Sequence, residues 1–288
     1  MFIQTKNFSA VQLKQFLALQ RLSFSILEKM AAELKEGQTE KEVARSLVLR
    51  YREAGFTSFF HLPVVLFGER TALPGDFPVG KFFPKSRALL ANEAVILDAS
   101  PISSGYLVDT SYSFCFGENA EHRDMMTGLA QFREQVCHGV NLGQSFKTIA
   151  EKVASDIQAM GYEAVHCKHP GEVLGHRAIK LPNLPFAWRF KGFDALSLAW
   201  FGFKNTIARV GLGREAPLWN TSKNSDHPPH DGLWLVEPHA GKGNIGAKWE
   251  EILVIQNGYA RWLDDEPPHV KQCAQIQHHG DYRPNPIN

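Results

Sequence analysis

Four acids and one histidine are this chain's first candidates for chemistry. Asp98 closes the apolar run Val95-Ile96-Leu97, and Asp109 follows eleven residues later, after a turn holding Pro101, Ser103, Ser104 and Gly105. The stretch beyond, Thr110 to Phe114, is again rich in β-prone residues, so the segment predicts two hairpin strands with an acid on each. Both carboxylates stand at the polar break of otherwise buried strands. Burying one ionised carboxylate is costly, and burying two side by side is worse unless a positive charge lies between them. A divalent metal is the usual answer. Taken alone, the pair also fits one Asp capping the turn and one facing solvent, because Asp is common near turns.

A second pair has the same plan. Leu233-Trp234-Leu235-Val236 ends in Glu237, a turn with Gly241, Gly243 and Gly246 follows, and Glu250-Glu251 opens a second apolar strand; Glu237 and Glu250 are thirteen residues apart. Between the pairs stands His176, flanked by Gly175 and apolar residues. That setting suits a metal-binding imidazole, although a lone histidine is more often a hydrogen-bonded structural residue.

The elements that must position these residues are repeated. Residues 8–35 carry apolar residues at helical spacing behind Ser9 as N-cap; Thr39 and Glu42 form a capping box for a second helix ending at Gly55, and 56–67 reads as strand. Residues 68–91 read as a punctuated loop or a ragged hairpin, and a long helix is expected over 121–140. Gly37-Gln38-Thr39 then returns as Gly143-Gln144-Ser145, offset by 106 residues, and each glycine is followed eighteen residues later by another, Gly55 and Gly161. Capped helices ending in glycine are common. The paired spacing and the preceding helices favour a duplicated helix–helix–strand unit, with half-repeats at about 10–117 and 118–262. Residues 184–219 form an aromatic insertion, either a local core or subunit contact, or a lid. The single domain covers 1–265, and the polar tail 266–288 is expected to be irregular.

Composition excludes several classes. Lys+Arg 31 against Asp+Glu 30 leaves no field for non-specific nucleic-acid binding or a polybasic membrane anchor. There is no apolar run of about 18 residues to span a membrane, and the start lacks a signal-peptide core. Cys115, Cys137, Cys167 and Cys273 show no CxxC pattern, which points to reduced thiols. The expectation is a cytoplasmic protein with a peptide or small-molecule partner; a homodimer is left open.

With Asp98, Asp109, His176, Glu237 and Glu250 in that order, the chain resembles the pita-bread metallopeptidases: methionine aminopeptidase, aminopeptidase P, prolidase and the metal-free creatinase. Gly105-Tyr106-Leu107-Val108-Asp109-Thr110 is similar to the family's second-aspartate motif, Leu174-Gly175-His176 to its histidine motif, and Val236-Glu237-Pro238 and Trp249-Glu250-Glu251-Ile252 to its two glutamate motifs. The resemblance covers about residues 10–262. It implies an α/β (α+β) pita-bread fold, with a curved antiparallel sheet, outer helices and an internal pseudo-two-fold repeat. It also implies two divalent ions drawn from Mn, Fe, Co or Zn, sharing a hydroxide that attacks an amide bond near a peptide N-terminus. By the same resemblance Asp109 and Glu250 bridge the ions, Asp98 holds one, and His176 with Glu237 holds the other; Glu237 is also the candidate general acid/base. Glu250 rather than Glu251 takes the ligand position in the family's register, and a slip of one residue would turn the other to that face. The short N-terminal part predicts a layout more like methionine aminopeptidase than the two-domain members.

Three departures concern the substrate. The peptidases' histidine after a stretch resembling Ala72-Leu73-Pro74 is here Gly75, their second histidine is Asn183, and the usual arginine after the second aspartate is Tyr112. His227, His230 and His239 are candidate substitutes, against a reading as turn histidines. The reading is a dinuclear metal-dependent, aminopeptidase-like hydrolase, with manganese among the metals expected. The alternatives are a divergent metalloenzyme acting on a non-peptide substrate, and a metal-free binding module.

Overall fold

A computed structural model describes residues 3–182, 189–190, 193–209 and 216–280, without the side chains of 189, 190, 193 and 276–280. Asn183 lies outside the described residues, as do Phe186 and Trp188 of the aromatic insertion and the side chains of His278 and His279, which the tail's polar sequence would leave solvated.

The two capped units form as their sequences dictate. The first helix, Ala10–Glu33, starts at Ser9 with a capping box to Gln12, and the second, Glu40–Glu53, starts at Thr39 with a capping box to Glu42. In the second half Ser145 caps Phe146–Ala159. Gly55 and Gly161 follow the two matching helices at φ +90° and +83°, a conformation a side chain would resist. The helix expected over 121–140 is two, Ala120–Ala130 and Phe132–Asn141, because the helical hydrogen-bond ladder is interrupted at Gln131 while its dihedrals stay helical.

The central sheet has five antiparallel strands in the order Leu218–Asn220, Val173–Ala178, Gly232–Val236, Glu251–Gln256, Tyr259–Trp262. Its strands alternate between two cores. Leu233, Leu235, Ile252 and Val254 pack with the first helix pair, whereas Trp234, Val236, Leu253 and Ile255 pack with the second-half helices. Both faces are buried, which is why these runs read as continuously apolar. In the first half, Val64–Phe67, Glu93–Ala99 and Thr110–Phe116 form a three-stranded antiparallel sheet.

Two further expectations change. The strand expected over 56–67 breaks into Ser58–Phe59 and Val64–Phe67, with His61 and the N–H-less Pro63 in the gap. The tail expected to be irregular contains the helix Pro268–Gly280. Pro268 opens it where a missing N–H costs nothing, and His269 and Cys273 anchor it in the core. The aromatic insertion contributes the helix Ala195–Arg209, whose Phe201 is buried, while Trp219 belongs to the central sheet and stacks on Phe146 at 4.1 Å. No helix among the described residues is long and apolar enough to cross a membrane.

Candidate metal centre

Period-two alternation brings the second-half residues together. Leu235 pairs with both His176 and Ile252 across neighbouring strands. Glu237 continues the face of Leu233 and Leu235 just beyond one strand, and Glu250 continues the face of Ile252 just before the other. Gly175 lets the strands close up: a Cβ there would lie 2.4 Å from the Leu235 carbonyl oxygen. The first half delivers Asp98 opposite Ser111, with Asp109 just ahead of that strand. The halves meet edge to edge, through a bridge between Ser111 and Glu250. Ser113 Oγ donates to the Lys248 carbonyl at 2.6 Å and accepts its N–H at 2.9 Å.

Asp98, Asp109, His176, Glu237 and Glu250 thus converge, all buried, on the wall of one cavity. His176 Nε2 faces Asp109 Oδ2 at 3.7 Å and Glu250 Oε1 at 3.6 Å. His61 Nε2 faces Asp98 Oδ1 at 3.5 Å and Asp109 Oδ2 at 3.4 Å. Lys248 Nζ reaches Asp98 Oδ2 at 2.6 Å, Glu237 Oε2 at 2.9 Å and Glu250 Oε2 at 3.1 Å.

This donor set fits a divalent metal. Asp98 Oδ1, Asp109 Oδ1 and Glu250 Oε1 are buried without a hydrogen-bond partner, a costly state that a cation would relieve. Carboxylate oxygens with imidazole nitrogens suit Mn, Fe, Co or Zn. Two groups of atoms are close enough to hold an ion, His61 with Asp98 and Asp109, and Asp109 with His176 and Glu250.

The electrostatics point the same way. Three of the four carboxylates reach Lys248, and the fourth, Asp109, is faced by His61 and His176. Burial together with the charges of Asp109 and Glu237 raises the Glu250 carboxyl above its ordinary range despite Lys248, and burial with Asp109 raises Asp98. Burial alone would pull the imidazoles down, but Asp109 with Asp98 lifts His61 to about 9, and Asp109 with Glu250 lifts His176 to about 10. Burial pushes Glu237 up, yet Lys248 and His169 hold it well below the usual carboxylate range.

The sequence reading missed three residues here. Lys248 lies two positions before Glu250 and so shares its face, a signal that period two contained. His61 sits in the strand break. His169, on the loop before Val173–Ala178, contacts Glu237 Oε2 through Nδ1 at 2.8 Å and His239 Nδ1 through Nε2 at 2.9 Å, while His239 Nε2 donates to the Thr71 carbonyl at 2.7 Å. Burial keeps His239 neutral. With its Nε2 proton committed to a carbonyl, its Nδ1 accepts from His169, and one proton then lies between His169 Nδ1 and Glu237. Of the three candidate substitutes, only His239 is at the cavity. His227 and His230 stack on each other at 4.3 Å beside Phe146, and neither lines the cavity. Glu251 points to the opposite face, where Arg133 Nε at 2.6 Å and His269 Nε2 at 2.9 Å neutralise it. Phe201 of the insertion lies 5.6 Å from the His176 ring and 5.4 Å from that of Phe60.

The chain is similar in structure to the X-Pro aminopeptidase of Thermotoga maritima MSB8, with a TM-score of 0.66 at 18% identity over 91% of this chain and 63% of that one. It matches the prolidase of Pyrococcus horikoshii OT3 with a TM-score of 0.66 at 15% identity, over 92% and 65% of the two chains. It also matches the methionine aminopeptidase of Thermotoga maritima with a TM-score of 0.60 at 12% identity, over 92% and 100%. The shared fold is the pita-bread arrangement. In sequence, 145 residues, or 50% of the chain, are 28% identical to an uncharacterised peptidase of Staphylococcus aureus (strain bovine RF122 / ET3-1), spanning 37% of that protein's length. The model of metallopeptidase family M24 matches residues 14–257, nearly all of the described core, and the chain belongs to that family.

Proposed function

We propose that this chain is a divalent-metal-dependent hydrolase that cleaves an amide bond near the N-terminus of a peptide. The observation that carries the reading is the convergence of Asp98, Asp109, His176 and Glu250 with three buried oxygens lacking partners. Asp98, Asp109, His176, Glu237 and Glu250 would hold the two ions that the family resemblance implies. A bound divalent metal supplies a water of lowered pKa and polarises the scissile carbonyl. Glu237 is placed to exchange a proton at Oε2 with His169 Nδ1, and Lys248 keeps its carboxylate charged between turnovers. Leu62, Val64, Leu66 and Phe82 give the cavity an apolar wall that excludes water and suits an apolar side chain. The test is release of the N-terminal residue from a panel of short peptides after loading with Mn or Co, beside Asp109→Ala. Turnover lost in the variant is expected; no turnover of any peptide by the metal-loaded wild type would sink the reading.

One observation favours a second reading, a non-peptide substrate. The ring nitrogens of His169 and His239 are engaged with each other, Glu237 and Thr71, so these histidines do not offer N–H groups to a peptide carbonyl. Full metal loading without peptide cleavage, with turnover of small-molecule amides or esters, would support it.

A further inference from the structure

The two imidazoles of the cavity are held in the same way, although His61 lies in a strand break and His176 in the middle of a strand. His176 Nδ1 is turned to the carbonyl of the next residue, Arg177, at 3.3 Å, and Nε2 faces Asp109 and Glu250. His61 Nδ1 is turned to the carbonyl of its next residue, Leu62, at 3.0 Å, and Nε2 faces Asp109 and Asp98. A backbone carbonyl accepts, so Nδ1 donates in both rings and Nε2 is left for the acids: it carries a proton toward them while no ion is bound and offers its lone pair to an ion that displaces that proton. That is the usual second contact of a metal-binding histidine, which fixes tautomer and ring orientation.

The distances agree. A charge-assisted N–H···O contact closes to about 2.7–2.9 Å. Here the nitrogen–oxygen separations are 3.4 and 3.5 Å at His61, and 3.6 and 3.7 Å at His176. Atoms bound tetrahedrally to one ion at about 2.0–2.2 Å stand roughly 3.3–3.6 Å apart, a span that the four separations meet to within about 0.1 Å. Asp98 Oδ1, on the His61 side, is buried without a hydrogen bond and has only the imidazole at 3.5 Å, as Glu250 Oε1 has only His176 at 3.6 Å. Lys248 meanwhile holds the opposite oxygens, Asp98 Oδ2 and Glu250 Oε2, and shares Glu237 with His169.

We propose that His61 is a metal ligand, completing with Asp98 and Asp109 one ion's shell that mirrors Asp109, His176 and Glu250 around the other, with Asp109 shared. His61 takes the coordination place that the Glu250 oxygen held by Lys248 gives up. The inference rests on the metal-hydrolase reading and adds to the five residues expected from sequence a sixth that its motifs do not contain.

The test uses the full chain, stripped with chelator and titrated with Co(II), with bound cobalt counted by elemental analysis. Wild type is expected to take two ions, and His61→Ala one, with the second at least tenfold weaker. His61→Cys restores a donor and is expected to bind two ions with a thiolate-to-cobalt charge-transfer band absent from wild type. Proton NMR of cobalt-loaded wild type needs no variant; it is expected to show two exchangeable, paramagnetically shifted imidazole N–H signals, from Nδ1 of His61 and His176. If His61→Ala takes as many ions as wild type with unchanged affinity, and only one shifted N–H signal appears, His61 is a counter-ion and the inference fails alone. If wild type takes up no cobalt, the inference and the metal-hydrolase reading fall together.

Discussion

Glu250 and Glu251 are neighbours at the head of one strand and meet opposite fates. Glu251 is matched: Arg133 grips both its oxygens, at 2.6 and 3.2 Å, and His269 adds a third contact. Glu250 shares Lys248 with Asp98 and Glu237, and its other oxygen is buried without a hydrogen bond, 3.6 Å from His176. Both are fully buried, so solvent does not explain the difference. One face of the sheet balances its charge with side chains and is structural. The other balances its acids only by lifting His61 and His176 toward their charged forms, across 3.4–3.7 Å, and still leaves three buried carboxylate oxygens without a hydrogen bond, a state that an external cation would relieve.

The largest expected effect should come from breaking the balanced face. Glu251→Ala leaves Arg133 and His269 without their buried acid and should cost about 3–5 kcal/mol, read by denaturant unfolding. The fraction that remains folded should still bind metal, and loss of metal with intact stability would invert the comparison. Next comes the cation itself. Each ion at about 100 times its dissociation constant should stabilise the wild type by about 2.7 kcal/mol; Glu250→Gln should remove the share of the ion held with Asp109 and His176, and a full gain in the variant would show that Glu250 is not part of the metal site.

The pH dependence sharpens the contrast. His61 and His176 are raised in the folded chain to about 9 and about 10, above an unfolded value near 6.5. A raised imidazole stabilises the fold fully below its unfolded pKa and loses that contribution as pH rises through the folded one. Metal-free protein should therefore lose stability between about pH 6.5 and 10, a trend that thermal melts across pH would reveal and that His176→Ala should flatten. Metal uptake near neutral pH should release protons, which calorimetry in buffers of different ionisation enthalpy can count. The smallest effect belongs to Glu250→Gln in the metal-free chain. Removing a crowded charge should shift stability by less than about 1 kcal/mol, in contrast to Glu251→Ala; a loss comparable to that variant's would mean the cage acids hold the fold together.

Much of this was legible in local pattern. Ser9, Thr39 and Ser145 announce the helices they cap, because capping depends on residues three positions away. The two hairpin pairs, Asp98 with Asp109 and Glu237 with Glu250, suggested four acids aimed at one point, and the order of these acids with His176 pointed to the family. Lys248 was legible by period two and was overlooked. The continuous strand over 56–67 was misread because apolar runs do not reveal a break, and Pro63 was the signal that one was there. The irregular tail was misread because its helix is held by His269 stacked at 4.9 Å on Trp249, a contact absent from local sequence.

By itself, then, the amino-acid sequence determined the capped helices, the two acid-bearing hairpins and the family, because these follow from spacings of a few residues and from motifs in order. Only the tertiary structure decided what surrounds the acids. His169 meets Glu237 across 68 residues and Lys248 meets Asp98 across 150. Such contacts depend on how the two halves dock at Ser111 and Glu250. That docking also leaves Glu250 short of positive charge while Glu251, one residue on, has it in full.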